Sequence, residues 1–366
     1  GIPTWLFLSA LPFGFTVLGL KFGPQWHAKA WLGWPATLLV TTASWFASDW
    51  LATAAIPLWM SCAAVLLFLM LGGPVFLVLG GLSWVLFSSE NIPMASLALS
   101  HYQITVNPSL PALPLFTLAG LIFANTQAAQ RLSTLFTSAF GSGQKGSILA
   151  VACLCSSFTA LTGGSGVTIL ALGGLLLPLL LKVGYPESKG IGLITSASSL
   201  GVLLAPSVPL IMYAIMARVP INTMFVAGLI PAALMIVSLI VFGGFLLQSH
   251  QPSHATYLKP SDGNLQHQWM SLRAAAWQAK WELLSPLIAI GTLISGIATP
   301  TEGAAITVVY AIVTQGLIHG ELKWSNFMHC LAQSAQIIGG ILLIMGMALG
   351  LTNYLIDVGV PDLASE

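Results

Sequence analysis

The chain is 366 residues long, with 56% hydrophobic and only 6% charged side chains. A water-soluble domain carries about a quarter charged residues, so an ordinary soluble fold is excluded. The formal net charge of +1 comes with no basic run or basic helix, which excludes nucleic acid as a partner.

Long continuous apolar runs point to an all-α polytopic membrane protein. Residues 5–20 form a first short span, which ends at Lys21. Lys29 follows among Trp26, Trp31 and Trp34, the pattern of a cytoplasmic interface. Residues 31–50 are apolar again and reach about 28 Å as a helix, enough to cross the hydrocarbon core. Asp49, with no Lys or Arg nearby, then faces outside. Residues 56–87 are too long for one straight span, and Gly72-Gly73-Pro74 predicts a kink or turn within them. The more polar stretch 88–111 reads as a loop with a short surface helix, and 113–128 as a further span.

Arg131 and Lys145 lie in the Gly/Ser-rich connection that follows. Residues 147–161 lead into Thr162-Gly163-Gly164-Ser165-Gly166, and 167–181 resume the helix. Lys182, Glu187 and Lys189 mark an aqueous edge, and 191–204 run into Ala205-Pro206-Ser207-Val208-Pro209. The two prolines force a discontinuity there. Arg218 marks an aqueous loop or meets an anionic substrate, and a long span covers 223–247. Residues 248–280 are the longest polar stretch and divide the apolar part that precedes them from the one that follows. Arg273, Trp277, Lys280 and Trp281 end it at helical spacing, as on a helix lying in the membrane interface. Residues 283–297 lead to a second break, Ala298-Thr299-Pro300-Thr301-Glu302-Gly303, with helices expected over 304–318 and 327–351.

The two breaks share a Thr-x-x-x-Gly spacing, Thr162 to Gly166 and Thr299 to Gly303. Each is predicted to turn a helical hairpin inside the membrane, an arrangement that marks substrate and ion sites in transporters. Sodium prefers oxygen ligands; unwound carbonyls and hydroxyls supply them, and helix C-termini favour cations while N-termini favour carboxylates. Thr162, Ser165, Ser207, Thr299 and Thr301 are therefore site candidates, with Gly163, Gly164 and Gly201 admitting close backbone approach. The competing reading is that these hydroxyls cap or back-bond within helices. Glu302 is either a functional carboxylate at membrane depth or a cap at a wet hairpin tip. Cys62, Cys153, Cys155 and Cys330 lack metal or redox spacing, and His250, His254 and His267 read as a solvated loop. No phosphate-binding loop, zinc-protease motif or nucleophile elbow is present, so the chain is not read as an enzyme.

Five segments together resemble the large membrane subunit of the tripartite ATP-independent periplasmic (TRAP) transporters. They are Leu113-Pro114-Leu115-Phe116-Thr117-Leu118-Ala119-Gly120, the stretch 158–178, Ala205-Pro206-Ser207-Val208-Pro209-Leu210-Ile211-Met212-Tyr213, Phe225-Val226-Ala227-Gly228-Leu229-Ile230-Pro231, and Gly296-Ile297-Ala298-Thr299-Pro300-Thr301-Glu302-Gly303-Ala304-Ala305. The resemblance runs from about Ala63 to the C-terminus. Residues 1–30 look like the last helix of the small permease subunit, and 31–60 like the linker helix of a fused permease. The large subunit then divides into 61–247 with the first hairpin, a polar divider and interfacial helix at 248–282, and 283–366 with the second hairpin, expected to be truncated.

The resemblance implies an inverted-repeat, elevator-type transporter of the bacterial inner membrane. It implies sodium as the coupling ion, no cofactor, and membrane lipid around the helices. It further implies a carboxylate-bearing organic anion as substrate, a periplasmic binding protein that delivers it, and a small permease subunit that is partly fused here. By motif position the metal ligands would come from Thr162, Gly163, Gly164, Gly201, Pro206, Thr299, Thr301, Gly350 and Thr352. Ser165, Gly166, Ser207 and Glu302 would face the substrate. The alternative is a related hairpin-containing sodium/anion transporter that needs no binding protein.

Overall fold

The computed structural model describes residues 57–365 apart from 71, 91–92, 94, 142, 243–264 and 296–297. The expected spans at 5–20 and 31–50, and His250 and His254, lie outside the described residues.

Every described element is helical. They are α1 (Leu58–Met70), α2 (Val75–Ser89), α3 (Ala95–Thr105), α4 (Ala112–Ala124), α5 (Ala128–Phe140), α6 (Gln144–Thr162), α7 (Ser165–Lys182) and α8 (Glu187–Leu200). A 3-10 turn, Gly201–Leu203, follows α8. Then come α9 (Val208–Ala217), α10 (Ile221–Phe242), α11 (Leu265–Gln278), α12 (Lys280–Ile294) and α13 (Pro300–Ile312). A π-helical turn, Val313–Ile318, extends α13, and α14 (Trp324–Asp357) and α15 (Val360–Ser365) complete the chain. Among the described residues six helical stretches are long and apolar enough to cross a membrane, or seven if α4 and α5 count as one bent span.

Proline and glycine set most of the boundaries. Pro74 and Pro186 precede α2 and α8, and Pro209 and Pro300 sit in the first turns of α9 and α13. There the missing N–H costs no helical bond. The span expected over 113–128 instead ends at Ala124, and α5 leaves at 75° to α4. The Asn125 amide side chain donates to the Leu121 carbonyl and the Thr126 hydroxyl to that of Phe123, closing the last turn of α4.

Contacts divide the chain into two units, 1–94 with 354–366, and 95–353. In the first, α1 packs on α2 across the turn at Gly72, and the rings of Phe87 and Tyr354 lie 5.8 Å apart. The second unit holds both breaks. Its centre is α6, buried along nearly its whole length and packed by α4, α5, α7 and α8. Helix α7 buries only Thr168, Leu172, Leu176 and Leu180, a four-residue spacing that draws one stripe along a helix. Its other face carries Leu170, 85% exposed, and suits lipid. The most extensive helix pairing among the described residues joins α4 to α13.

Candidate functional site

The first break is a tight turn between two packed helices. Gly163 ends α6 in the left-handed region (φ 73°), and its N–H donates to the Thr159 carbonyl over 2.8 Å. Gly164 is extended, and Ser165 starts α7. Thr162 and Thr159, one turn apart on α6, both turn their hydroxyls to Thr168 of α7, at 2.9 and 2.8 Å. All three threonines are buried. Thr117 of α4 adds a fourth buried hydroxyl, whose oxygen lacks a hydrogen-bond partner. A buried polar atom left bare costs about 1–3 kcal/mol, so a bound group that would satisfy Thr117 has a clear energetic role.

The second discontinuity packs onto this turn. A Cβ on Gly163 would come within 2.3 Å of the Val208 side chain at the start of α9. A Cβ on Gly201 would fall 2.3 Å from the Ser156 carbonyl oxygen and 2.6 Å from the Thr159 Cβ. A Cβ on Gly120 would meet the Thr162 backbone at 2.5 Å. These glycines are therefore positions of obligatory close approach. Pro206 and Ser207 are buried in the same connection, and the Ser207 hydroxyl donates to the Val202 carbonyl. Ser165 is half-buried in the first turn of α7, and Gly166 beside it is exposed. Two helix C-termini (α6 and the turn after α8) and two N-termini (α7 and α9) so meet around hydroxyl and carbonyl oxygens. The first are partially negative and the second partially positive.

The break at Thr299 is built differently. Thr299 is the residue before α13, whereas Thr162 is the last residue of α6, so the Thr-x-x-x-Gly overlay equates opposite ends of helices. The Glu302 N–H donates to the Thr299 hydroxyl at 3.4 Å, and the Thr299 N–H donates to the Glu302 carboxylate at 2.8 Å. This reciprocal cap satisfies two terminal donors with local side chains. Thr299 and Glu302 are exposed, and the Thr301 hydroxyl donates to the Pro108 carbonyl at 2.8 Å. Gly350 and Thr352 lie within the continuous helix α14, and the Thr352 hydroxyl back-bonds to the Ala348 carbonyl. The backbone expected to be unwound at Gly350–Thr352 is regular helix.

A third polar feature escaped the sequence reading. Arg131 on α5 reaches the Glu282 carboxylate of α12 at 2.7 Å and that of Glu321 at 2.6 Å. It also donates to the Gln315 side-chain oxygen at 2.9 Å, and Gln315 donates to Glu282 at 3.1 Å. Gln315 sits in the π-helical turn, a distortion that recurs at functional positions. Partial burial works to raise the Glu321 carboxyl. The hydrogen bonds from Arg131 and the Gln127 amide outweigh it and hold the group below its usual range.

Thr117, Thr159 and Thr168 likewise lie outside the residues that the sequence pattern singles out as site candidates. The one-turn spacing of Thr159 and Thr162 was the available signal. Among the described residues no His, Cys, Asp and Glu cluster could hold a metal.

The family model for the DctM component of the tripartite ATP-independent periplasmic transporters matches residues 62–365. Relatives include the isethionate TRAP transporter permease protein DctMQ of Oleidesulfovibrio alaskensis, 26% identical over 82% of this chain and 46% of that protein. The C4-dicarboxylate TRAP transporter large permease protein DctM of Rhodobacter capsulatus is 28% identical over 82% of this chain and 70% of its own length. The ectoine TRAP transporter large permease protein TeaC of Halomonas elongata is 31% identical over 65% and 53%. The chain thus spans about half the length of the first of these. It belongs to the DctM family of TRAP transporter large permeases and is a multi-pass inner-membrane protein, not an enzyme.

Proposed function

We propose that this chain is the membrane part of a secondary transporter that couples sodium entry to uptake of a small carboxylate-bearing anion. A periplasmic binding protein delivers the anion, and a small permease subunit completes the membrane complex. The observation that carries the reading is the meeting of four helix ends around Thr159, Thr162, Thr168 and the unsatisfied Thr117. Carbonyl and hydroxyl oxygens at partially negative helix C-termini suit a sodium ion. Thr162, Gly163, Gly164, Gly201 and Pro206 contribute by position. The amide ends of α7 and α9, at Ser165, Gly166 and Ser207, suit a carboxylate.

Both ends of the α6–α7 pair lie beside lysines, Lys145 and Lys182, and their junction packs on the middle of the span Glu187–Ala217. That favours a hairpin that enters and leaves on one side, and the pair is the natural moving body of an elevator. The Thr299–Glu302 connection, self-capped and exposed, acts as a rigid helix start; neither it nor Gly350 and Thr352 is assigned to the cation. One charge falling through 100 mV yields about 2.3 kcal/mol, roughly a 45-fold accumulation before any sodium gradient is counted.

The test is uptake of labelled C4-dicarboxylates by the full-length permease reconstituted with its binding protein. Uptake should collapse when sodium is replaced by choline on both sides. Undiminished accumulation in choline rejects the coupling.

A further inference from the structure

The helices of the larger unit have chemically distinct ends. Lys145 starts α6, Lys182 ends α7, Lys189 starts α8, Lys280 starts α12, and Lys323 follows the π-helical turn of α13. At that end Arg131, Glu282 and Glu321 meet in one network. The opposite ends also meet. The turn before α4, the α9–α10 turn and the residues just before α13 border a half-open cavity of about 450 Å³. Asn107, Ser109, Arg218, Asn222, Ala298 and Pro300 are on its wall. Lysine-rich ends lie in the cytoplasm, which puts this cavity on the outer face. Arg218 is the single Lys or Arg at that end among the described residues.

Two features single out Arg218. It is exposed, and neither ion pair among the described residues includes it. It also occupies the left-handed region, φ 55°, at the C-terminus of α9. Glycine or asparagine would hold this turn at lower cost. A cation that only answered the helix dipole would serve from any position in the last turn without that strain. The rest of the wall offers donors and no carboxylate. The Asn222 side-chain oxygen accepts from the Thr223 N–H and that of Asn107 from the Ser109 N–H. Each amide NH2 group thereby remains a donor, and the Ser109 hydroxyl is a further one. Ile215 and Leu293 supply an apolar wall.

We propose that this cavity is an outer-face reception site for a small organic anion, with Arg218 as its charge and Asn107, Ser109 and Asn222 as its donors. It sits at helix ends, apart from the mid-span hydroxyl cluster, and holds the anion before that cluster is reached. That the anion is the transported one rests on the transport reading above; the charge preference of the cavity does not.

Thiol chemistry tests the two separately. Ser109→Cys in the full chain is exposed, in right-side-out vesicles, to sulfonatoethyl and to trimethylammonioethyl methanethiosulfonate. Rates are corrected for the wild-type cysteines and for reaction with a free thiol. One positive charge within roughly 8 Å should favour the anionic over the cationic reagent about fivefold in a water-like medium. The preference should fade in 1 M salt, vanish in Arg218→Gln, persist in Arg218→Lys and invert in Arg218→Glu. Asn222→Cys serves as a second reporter if the first fails to reach the membrane. An unchanged preference in Arg218→Gln, or labelling from the cytoplasmic side alone, overturns the site. In uptake, Arg218→Gln should raise KM several-fold with kcat retained. Uptake indifferent to sodium would remove the coupling, and absence of any uptake the transport reading, while either leaves the thiol result standing.

Discussion

At Gly163 the chain leaves one helix and enters the next with the turning residue buried against its neighbours; at Thr299 it does so in the open. The first turn is stabilised by neighbours: α4, α8 and α9 press against it through Gly120, Gly201 and Val208. The second is stabilised by itself, through the reciprocal bonds of Thr299 and Glu302. In the proposed reading the enclosed hydroxyl without a partner, that of Thr117, gains from a bound cation. Hydroxyls already committed to a local cap in contact with solvent have little to gain from one. Similar residue types therefore serve different purposes, and substitutions at the two places should behave differently.

The sharpest contrast is steric. Gly201→Ala drives a methyl into the Ser156 carbonyl and the Thr159 side chain. Overpacking of this kind costs about 1–3 kcal/mol, and more where the obstacle is backbone. A clear fall in the melting temperature of the detergent-solubilised protein is expected. Gly166→Ala, at a position with nothing within 4 Å, should leave it unchanged. Equal melting temperatures for the two variants would show that the junction is not close-packed.

The next contrast separates coupling from stability. Thr162→Ala removes one hydroxyl of the buried cluster and should raise the sodium concentration for half-maximal uptake about tenfold, the effect of one lost ligand worth roughly 1.4 kcal/mol. Thr299→Ala removes a cap and should cost about 1 kcal/mol of stability, with the sodium dependence of uptake preserved and Thr299→Ser largely restoring the loss. Sodium dependence that shifts in Thr299→Ala and stays fixed in Thr162→Ala would reverse the assignment.

How far the sequence reveals this arrangement depends on the range of the interactions. Helix boundaries set by Pro74, Pro186, Pro209 and Pro300, and the turn at Gly163-Gly164, follow from local backbone chemistry and are readable one residue at a time. The Thr-x-x-x-Gly likeness misleads because spacing alone does not say whether a threonine closes a helix or opens one. The helix continues through Gly350 for a related reason: a glycine in a helix interior lowers its stability by about 1 kcal/mol without breaking it. Thr117 joins the cluster only through tertiary packing. Arg131 meets Glu282 and Glu321 across 151 and 190 residues of chain, and no local pattern announces such a pairing.

The smallest expected effect tests whether charge plays any part at the junction. Its oxygens are hydroxyls and carbonyls, which do not titrate. The Arg131 network does contain a titrating group outside the spans, Glu321, whose carboxyl is held below its ordinary value of about 4.5. A depressed carboxyl contributes stability that is present above its unfolded value and is lost as the pH falls through its folded one. The melting temperature should therefore hold steady from neutral pH to about 5 and decline as the pH drops below about 4.5. Glu321→Gln should flatten part of that decline at the expense of a lower starting value. The Thr162→Ala variant, altered only at a neutral oxygen, should keep the wild-type slope while differing in sodium response. A slope that changes with Thr162 would mean that a titrating group shares the proposed cation site, and would overturn the proposal that neutral oxygens alone carry the coupling.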